Sequence, residues 1–135
     1  FPTERDSAGR LRVFSGTSWE SFAGYCRAVR DGDQILVSGT TATHGDRVIG
    51  GKSAAAQTHF VIDKIQAAIE SLGGELEDVI RTRVFVSDIS DWEGVARAHG
   101  MRFGHIQPAN TLVEARLVGD QYRVEIEAVA RASNP

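Results

Sequence analysis

The feature that most constrains this chain is a change of hydrophobic period. Val61, Ile65, Ala68, Ile69 and Leu72 recur at helical spacing, and Gly73-Gly74 ends the run as a C-terminal glycine should. A second helical stripe follows Ser90-Asp91-Trp92-Glu93, which reads as a capping box, and carries Trp92, Val95, His99 and Phe103. Around both helices the period is two. In Tyr122, Val124, Ile126 and Ala128, apolar side chains alternate with Arg123, Glu125, Glu127 and Val129. Two one-sided helices must bury their apolar stripes on something, and the flanking strands offer a sheet. The expected class is therefore α+β, a two-layer sandwich with two helices on one face of a mixed sheet.

The order read along the chain is β-β-β-α-β-α-β-β. Leu11 to Phe14 is a short strand, and "GTSWESFAG" reads as a Gly- and Ser-rich connection. "YCRAVRDGDQILVSGTTA" is two strands joined at Asp31-Gly32, and Arg47 to Ile49 is a short strand beyond a turn. "VIRTRVFVSD" is the next strand, with Thr82, Val84 and Val86 on one face. "HIQPANTLVEARLVGDQYRVEIEAVA" reads as a terminal hairpin turned at Gly119-Asp120. Strand parity across that hairpin places Asn110, Glu114, Glu125 and Glu127 on one face.

A chain of 135 residues, 41% hydrophobic and 24% charged, is expected to form one domain over residues 1–135. Its net charge of −3 argues against a nucleic-acid partner, which calls for a basic face. No apolar run is long enough to span a membrane. The single Cys26 excludes an internal disulfide framework and suits a reducing cytoplasm, where it reads as a small buried hydrophobe. The chain starts at Phe1, which leaves a trimmed leader open.

Several chemistries fail on spacing. "GDRVIGGKS" ends like a phosphate loop, but five residues separate Gly45 from Gly51 where the motif needs four. His44, His59, His99 and His105 show no metal-ligand spacing, so no metal is expected, nor a flavin or nucleotide. His99, on the helical stripe, reads as a packed core histidine.

Three strings, "GYCRAVRDGDQILVSGT", "ESLGGELEDVIRTRVFVSDISDWEGV" and "QPANTLVEARLVGDQYRVEIEAVA", resemble the reactive intermediate deaminase family (Rid, or YjgF type), also labelled L-PSP endoribonuclease-like. The resemblance runs from about Tyr25 to Ala130. It implies a chorismate mutase-like fold and a homotrimer whose sheets line a central barrel, with a small-molecule ligand in clefts between subunits. It also implies cofactor-free hydrolysis of enamines or imines to a 2-oxo acid and ammonia. Residue by residue, it implies a catalytic Glu125 that activates water, and substrate contacts from Tyr25, Ser38, Gly39, Asn110 and Leu112. One departure stands out: the family's P-A-R-S is Pro108-Ala109-Asn110-Thr111 here. An asparagine frequent on the family's second helix is Ala96 in this chain.

That arginine holds a substrate carboxylate in the family through paired charged hydrogen bonds, which an amide cannot reproduce. Losing one partner of a buried charge pair costs roughly 2–5 kcal/mol. An amide recovers about 1 kcal/mol. The shortfall is on the order of tenfold to a thousandfold in binding. Arg116 and Arg102 are candidates for a replacement cation. Other roles stay open: Glu125 as a cross-strand partner of Arg123 or Arg116, Tyr25 as a packed aromatic, and Ser38 as part of a tight turn with Gly39. The sequence thus supports two readings, an imine hydrolase with altered substrate preference, or a non-catalytic trimer that binds a metabolite or protects other proteins. The ribonuclease label is weaker than either, because no basic aromatic strip is present.

Overall fold

The computed structural model describes residues 1–133. Strands β1 (Thr3–Arg5), β2 (Leu11–Val13), β3 (Ala28–Asp31), β4 (Gln34–Thr40), β7 (Val79–Val86), β8 (Ala109–Glu114) and β9 (Val124–Arg131) form one mixed sheet. Its spatial order is β1-β2-β3-β4-β9-β7-β8. A separate two-stranded ribbon joins β5 (Thr43–His44) to β6 (Arg47–Val48). The helices are α1 (Ser18–Ala23), α2 (Ala54–Ser71) and α3 (Trp92–Phe103). The α+β class expected from the two periods is the observed one.

The long helix behaves as its stripe predicts. Ser53 caps it by accepting a hydrogen bond from Ala56 N, and Gly73 ends it at φ +85°, a left-handed conformation that favours glycine. Val61, Ile65, Ala68 and Ile69 are fully buried and meet Ile35, Val84, Ile126 and Ala130 in one core. Truncating any of the large ones costs about 2–5 kcal/mol, because a packed interior closes such a cavity only in part. Arg30 ties this end of the molecule together. Its buried guanidinium donates to the carbonyls of Gly32, Leu72 and Ala132, so α2 and the last strand share one cation.

The terminal hairpin is not formed. Strand β9 runs between β4 and β7, antiparallel to both, while β8 pairs in parallel with the outer edge of β7. A parallel pair needs a crossover, and α3 supplies it between β7 and β8. The residues around Gly119-Asp120 therefore carry the chain from the sheet edge back across β7 rather than around a tight turn. The shared-face expectation falls with the hairpin. Asn110 is level with Thr82 and Glu114 with Val86, on the side that α2 and α3 cover. Glu125 and Glu127 are level with Phe85 and Arg83, on the opposite side.

Smaller corrections have local causes. "SWESFA" is helical, not a loop, and its buried Glu20 accepts hydrogen bonds from Ser15 N, Ser15 Oγ and Thr17 Oγ1. The expected capping box at Ser90 is replaced by a short 3-10 turn over Ile89–Asp91, where Asp88 accepts from Ser90 N. Trp92 lies at the outer margin of its stripe and is 51% exposed, while Val95 and Phe103 are buried. Cys26 is half-buried rather than enclosed.

Neither α2 nor α3 covers the second face of the sheet. Val29, Leu36, Phe85, Val113 and Val129 lie on it with Arg81, Arg83 and Glu127, and Leu36 and Val113 are each 43% exposed.

Candidate functional site

Strand β4 bulges after Val37: Val37 is level with Ala128 on β9, but Thr40 is level with Ile126. Ser38 and Gly39 stand opposite the single Glu127, one residue more than regular pairing needs, and bring the backbone against Glu125. A Cβ added at Gly39 would collide with Glu125 Oε2, so only glycine lets the carboxylate lie over the bulge. The Ser38 hydroxyl donates to Cys26 O at 2.8 Å, which ties the bulge to the strand entry.

Around this bulge lies a cleft of about 140 Å3, lined by Tyr25, Arg27, Gly39, Lys64, Tyr122 and Glu125 among others. Its size suits a small metabolite, being below the roughly 300–1,000 Å3 of drug-sized ligand pockets. Burial pushes the half-buried Glu125 carboxyl above its ordinary range, Arg27 opposes that rise, and Glu127 adds to it. The result is a carboxylate of heightened basicity at the cleft wall.

Two cations share the same space. Arg27 is only 5% exposed, donates from Nη2 to Gly39 O at 2.8 Å, and sits 5.7 Å from the Tyr25 ring centroid. Its Nε is buried without a partner among the described residues. Lys64 reaches the cleft from α2 and donates to Thr43 O at 2.8 Å. Burial and the nearby Arg27 lower its amine to about 8, against an opposing pull from Glu20.

Of the residues singled out in the sequence, Tyr25, Gly39 and Glu125 meet in this cleft. Ser38 shapes it from behind. Asn110 and Leu112 do not join them within one chain: Asn110 faces the helix side on edge strand β8, and Leu112 packs against the core. Asn110 Nδ2 donates to Thr82 Oγ1 at 2.9 Å, and Thr82 Oγ1 is 2.8 Å from His99 Nε2. Thr82 Oγ1 thus joins the Asn110 amide, from which it accepts, to the His99 ring, and the direction of that second bond follows the imidazole tautomer. Burial lowers the His99 pKa, consistent with the packed histidine its stripe indicated. Among the described residues, Oδ1 of Asn110 has no hydrogen-bond partner, and it is an acceptor where the arginine of the family pattern would be a donor.

Neither arginine expected as a substitute enters the cleft. Arg102 donates to His59 O and to Asp63 Oδ1, and Arg116 lines a shallow surface depression with Glu114 and Asp120. Arg27 and Lys64 had no motif to mark them. The only sequence signal was Arg27 itself, a charged residue two positions after Tyr25 in an otherwise strand-like stretch. Among the described residues, no three His, Cys, Asp or Glu side chains stand together as a metal site. Among the described residues, no helix is long and apolar enough to cross a membrane.

The family model described as "Endoribonuclease L-PSP" matches residues 16–132, which take in five of the seven strands of the sheet, all but β1 and β2, and every residue of the cleft. The chain belongs to the L-PSP family, of the YjgF/Rid type. A Streptomyces coelicolor protein, SCO2049, is 37% identical over 120 residues, 88% of this chain and 90% of its own. The Mycobacterium tuberculosis protein Rv2704, described as a member of the YjgF/YER057c/UK114 family, superposes with a TM-score of 0.84. It is 41% identical, over 92% of this chain and 100% of its own. The Escherichia coli YjgF gene product follows with a TM-score of 0.75 at 25% identity, over 89% of this chain and 93% of its own. The family resemblance carried by the three quoted strings is thus matched across the whole fold.

Proposed function

We propose that this L-PSP-family chain is a cofactor-free hydrolase of small imines and enamines, working in the cleft at the β4 bulge with Glu125 as general base. The observation that carries the reading is the half-buried Glu125 carboxylate, raised in basicity and seated over a glycine that leaves room for it. Glu125 takes a proton from water as the water oxygen bonds to the imine carbon. That proton goes to the nitrogen, giving a carbinolamine. Glu125 then takes the carbinolamine hydroxyl proton as the carbonyl forms and passes it to the departing nitrogen as the C–N bond breaks, giving a carbonyl compound and ammonia. A base whose pKa is lifted toward the working pH is both deprotonated and strong enough for that transfer.

The working unit in this reading is a homotrimer. The face that α2 and α3 leave uncovered, with Leu36, Phe85 and Val113, supplies the apolar surface that such an assembly buries. Because Asn110 faces away from Glu125 in its own chain, it can serve the cleft only from a neighbouring subunit, and there it presents an acceptor. Substrate preference at that end shifts from a carboxylate toward a hydrogen-bond donor.

The test is the loss of an imine generated in situ by an amino-acid oxidase, followed with wild type and Glu125→Gln. Turnover by wild type and its loss in a variant of the same oligomeric state supports the hydrolase. Equal rates in both would refute the role of Glu125. No rate in wild type, with a ligand-induced rise in Tm, would favour a metabolite-binding trimer.

A further inference from the structure

We infer that Arg27 and Lys64 form the anion-binding end of the cleft, holding the carboxylate of a small 2-imino or 2-oxo acid. This assignment rests on the hydrolase reading for the identity of the ligand, but its geometry stands apart from it. The grip on the substrate's charge has moved from strand β8 to the floor of the cleft.

Three features support the assignment. The cleft lining holds two cations, Arg27 and Lys64, against one carboxylate, Glu125, while Glu20 and Glu127 act on the site from outside the lining. The cations have donors to spare: among the described residues Arg27 makes one hydrogen bond, from Nη2, and Lys64 spends one of three protons on Thr43 O. A guanidinium that is 5% exposed and mostly unpaired is costly to bury, and an incoming carboxylate relieves that cost. Finally, no salt bridge joins Arg27 or Lys64 to Glu125 or Glu20 among the described residues, so neither cation is neutralised by direct contact. The Arg27 guanidinium is held in place by Gly39 O on one side and the Tyr25 ring on the other, which fixes it before ligand arrives.

Glu125 and the cations line the same cleft, so a 2-imino acid anchored by its carboxylate would present its C2 carbon to water activated by Glu125. The side chain of the substrate would then extend toward the mouth, where Trp19 and Val118 stand.

Isothermal titration with 2-oxobutyrate, its uncharged counterpart butanone, and inorganic phosphate tests this directly. Wild type should bind 2-oxobutyrate at least tenfold more tightly than butanone. Lys64→Met should weaken 2-oxobutyrate roughly ten- to a hundredfold, the worth of one to two charged hydrogen bonds, and leave butanone unchanged. Lys64→Arg should restore most of the loss. The chain's other lysine, exposed Lys52, is the control for total charge, and Lys52→Met should bind as wild type does. If Lys64→Met fails to fold, the wild-type comparison of 2-oxobutyrate with butanone still decides. Equal binding of charged and uncharged ligands, unchanged affinity in folded Lys64→Met, or tight phosphate binding with none for 2-oxobutyrate would each overturn the assignment. A protein that hydrolyses imines but ignores Lys64 keeps the hydrolase and loses the anion site. One that binds as described but hydrolyses nothing does the reverse.

Discussion

Replacing Gly39 by alanine should separate catalysis from stability. The added Cβ would collide with Glu125 Oε2, lie 3.1 Å from Cδ, and clear Cγ at 3.5 Å. The stem of Glu125 can therefore stay, and only the carboxylate end must turn away. Gly39 is not among the glycines with positive φ, so the backbone accepts alanine without strain. Lower unfolded-state entropy favours the variant by about 0.4–1 kcal/mol. An off-rotamer glutamate opposes it by about 0.5–1.5 kcal/mol. The two nearly cancel, leaving Tm within about 4 °C of wild type. Catalysis has no such compensation. A displacement near 1 Å of a reacting group costs on the order of a hundredfold in rate. The assay is imine hydrolysis beside a thermal melt. Wild-type kcat/KM in Gly39→Ala would refute the claim that the bulge positions the base, and a fall in Tm beyond about 10 °C would refute the mobility assigned to the carboxylate end.

Three further outcomes follow from the same geometry. Glu125 has a folded pKa above its unfolded value, so stability should fall as pH rises through that window and stay level above it; Glu125→Gln should melt no lower than wild type at neutral pH, and a clear drop would contradict the buried-carboxylate account. Acetic anhydride should modify Lys64 with a midpoint near pH 8, read by mass spectrometry at each lysine, whereas a midpoint near the ordinary value of about 10.4 would refute its burial beside Arg27. Arg30→Met leaves three carbonyls without their shared donor and should cost about 3 kcal/mol, or about 10 °C in Tm, without affecting the cleft; a loss under about 3 °C would show that Arg30 is not a structural tie.

The parts of the molecule legible in the sequence are those set by local period. The α2 stripe from Val61 to Leu72, its glycine stop and the alternation of β9 all depend on neighbours within a few residues, and each took the form expected. The strand order did not. A turn signal at Gly119-Asp120 looks the same whether the strands on either side pair with each other or straddle a third. Only the competition for the centre of the sheet, which β9 wins by being apolar on its covered face, decides between them. That one error reversed the face assigned to Asn110. The site was half legible for a related reason. Tyr25, Gly39 and Glu125 were marked by the family pattern, while Arg27 and Lys64 come from a strand entry and a helix about 40 residues apart and meet only through the fold. The bulge that makes room for Glu125 gave no sign beyond Ser38-Gly39 within a strand.

The pH dependence of imine hydrolysis, compared between wild type and Glu125→Gln at matched substrate, tests the central claim most directly. Dividing the two profiles removes the pH dependence of the imine itself. Wild type should show a rate that rises with pH through a carboxyl titration above the ordinary glutamate range, and that limb should be absent from the variant. The same limb in both proteins would place the base elsewhere and contradict the account.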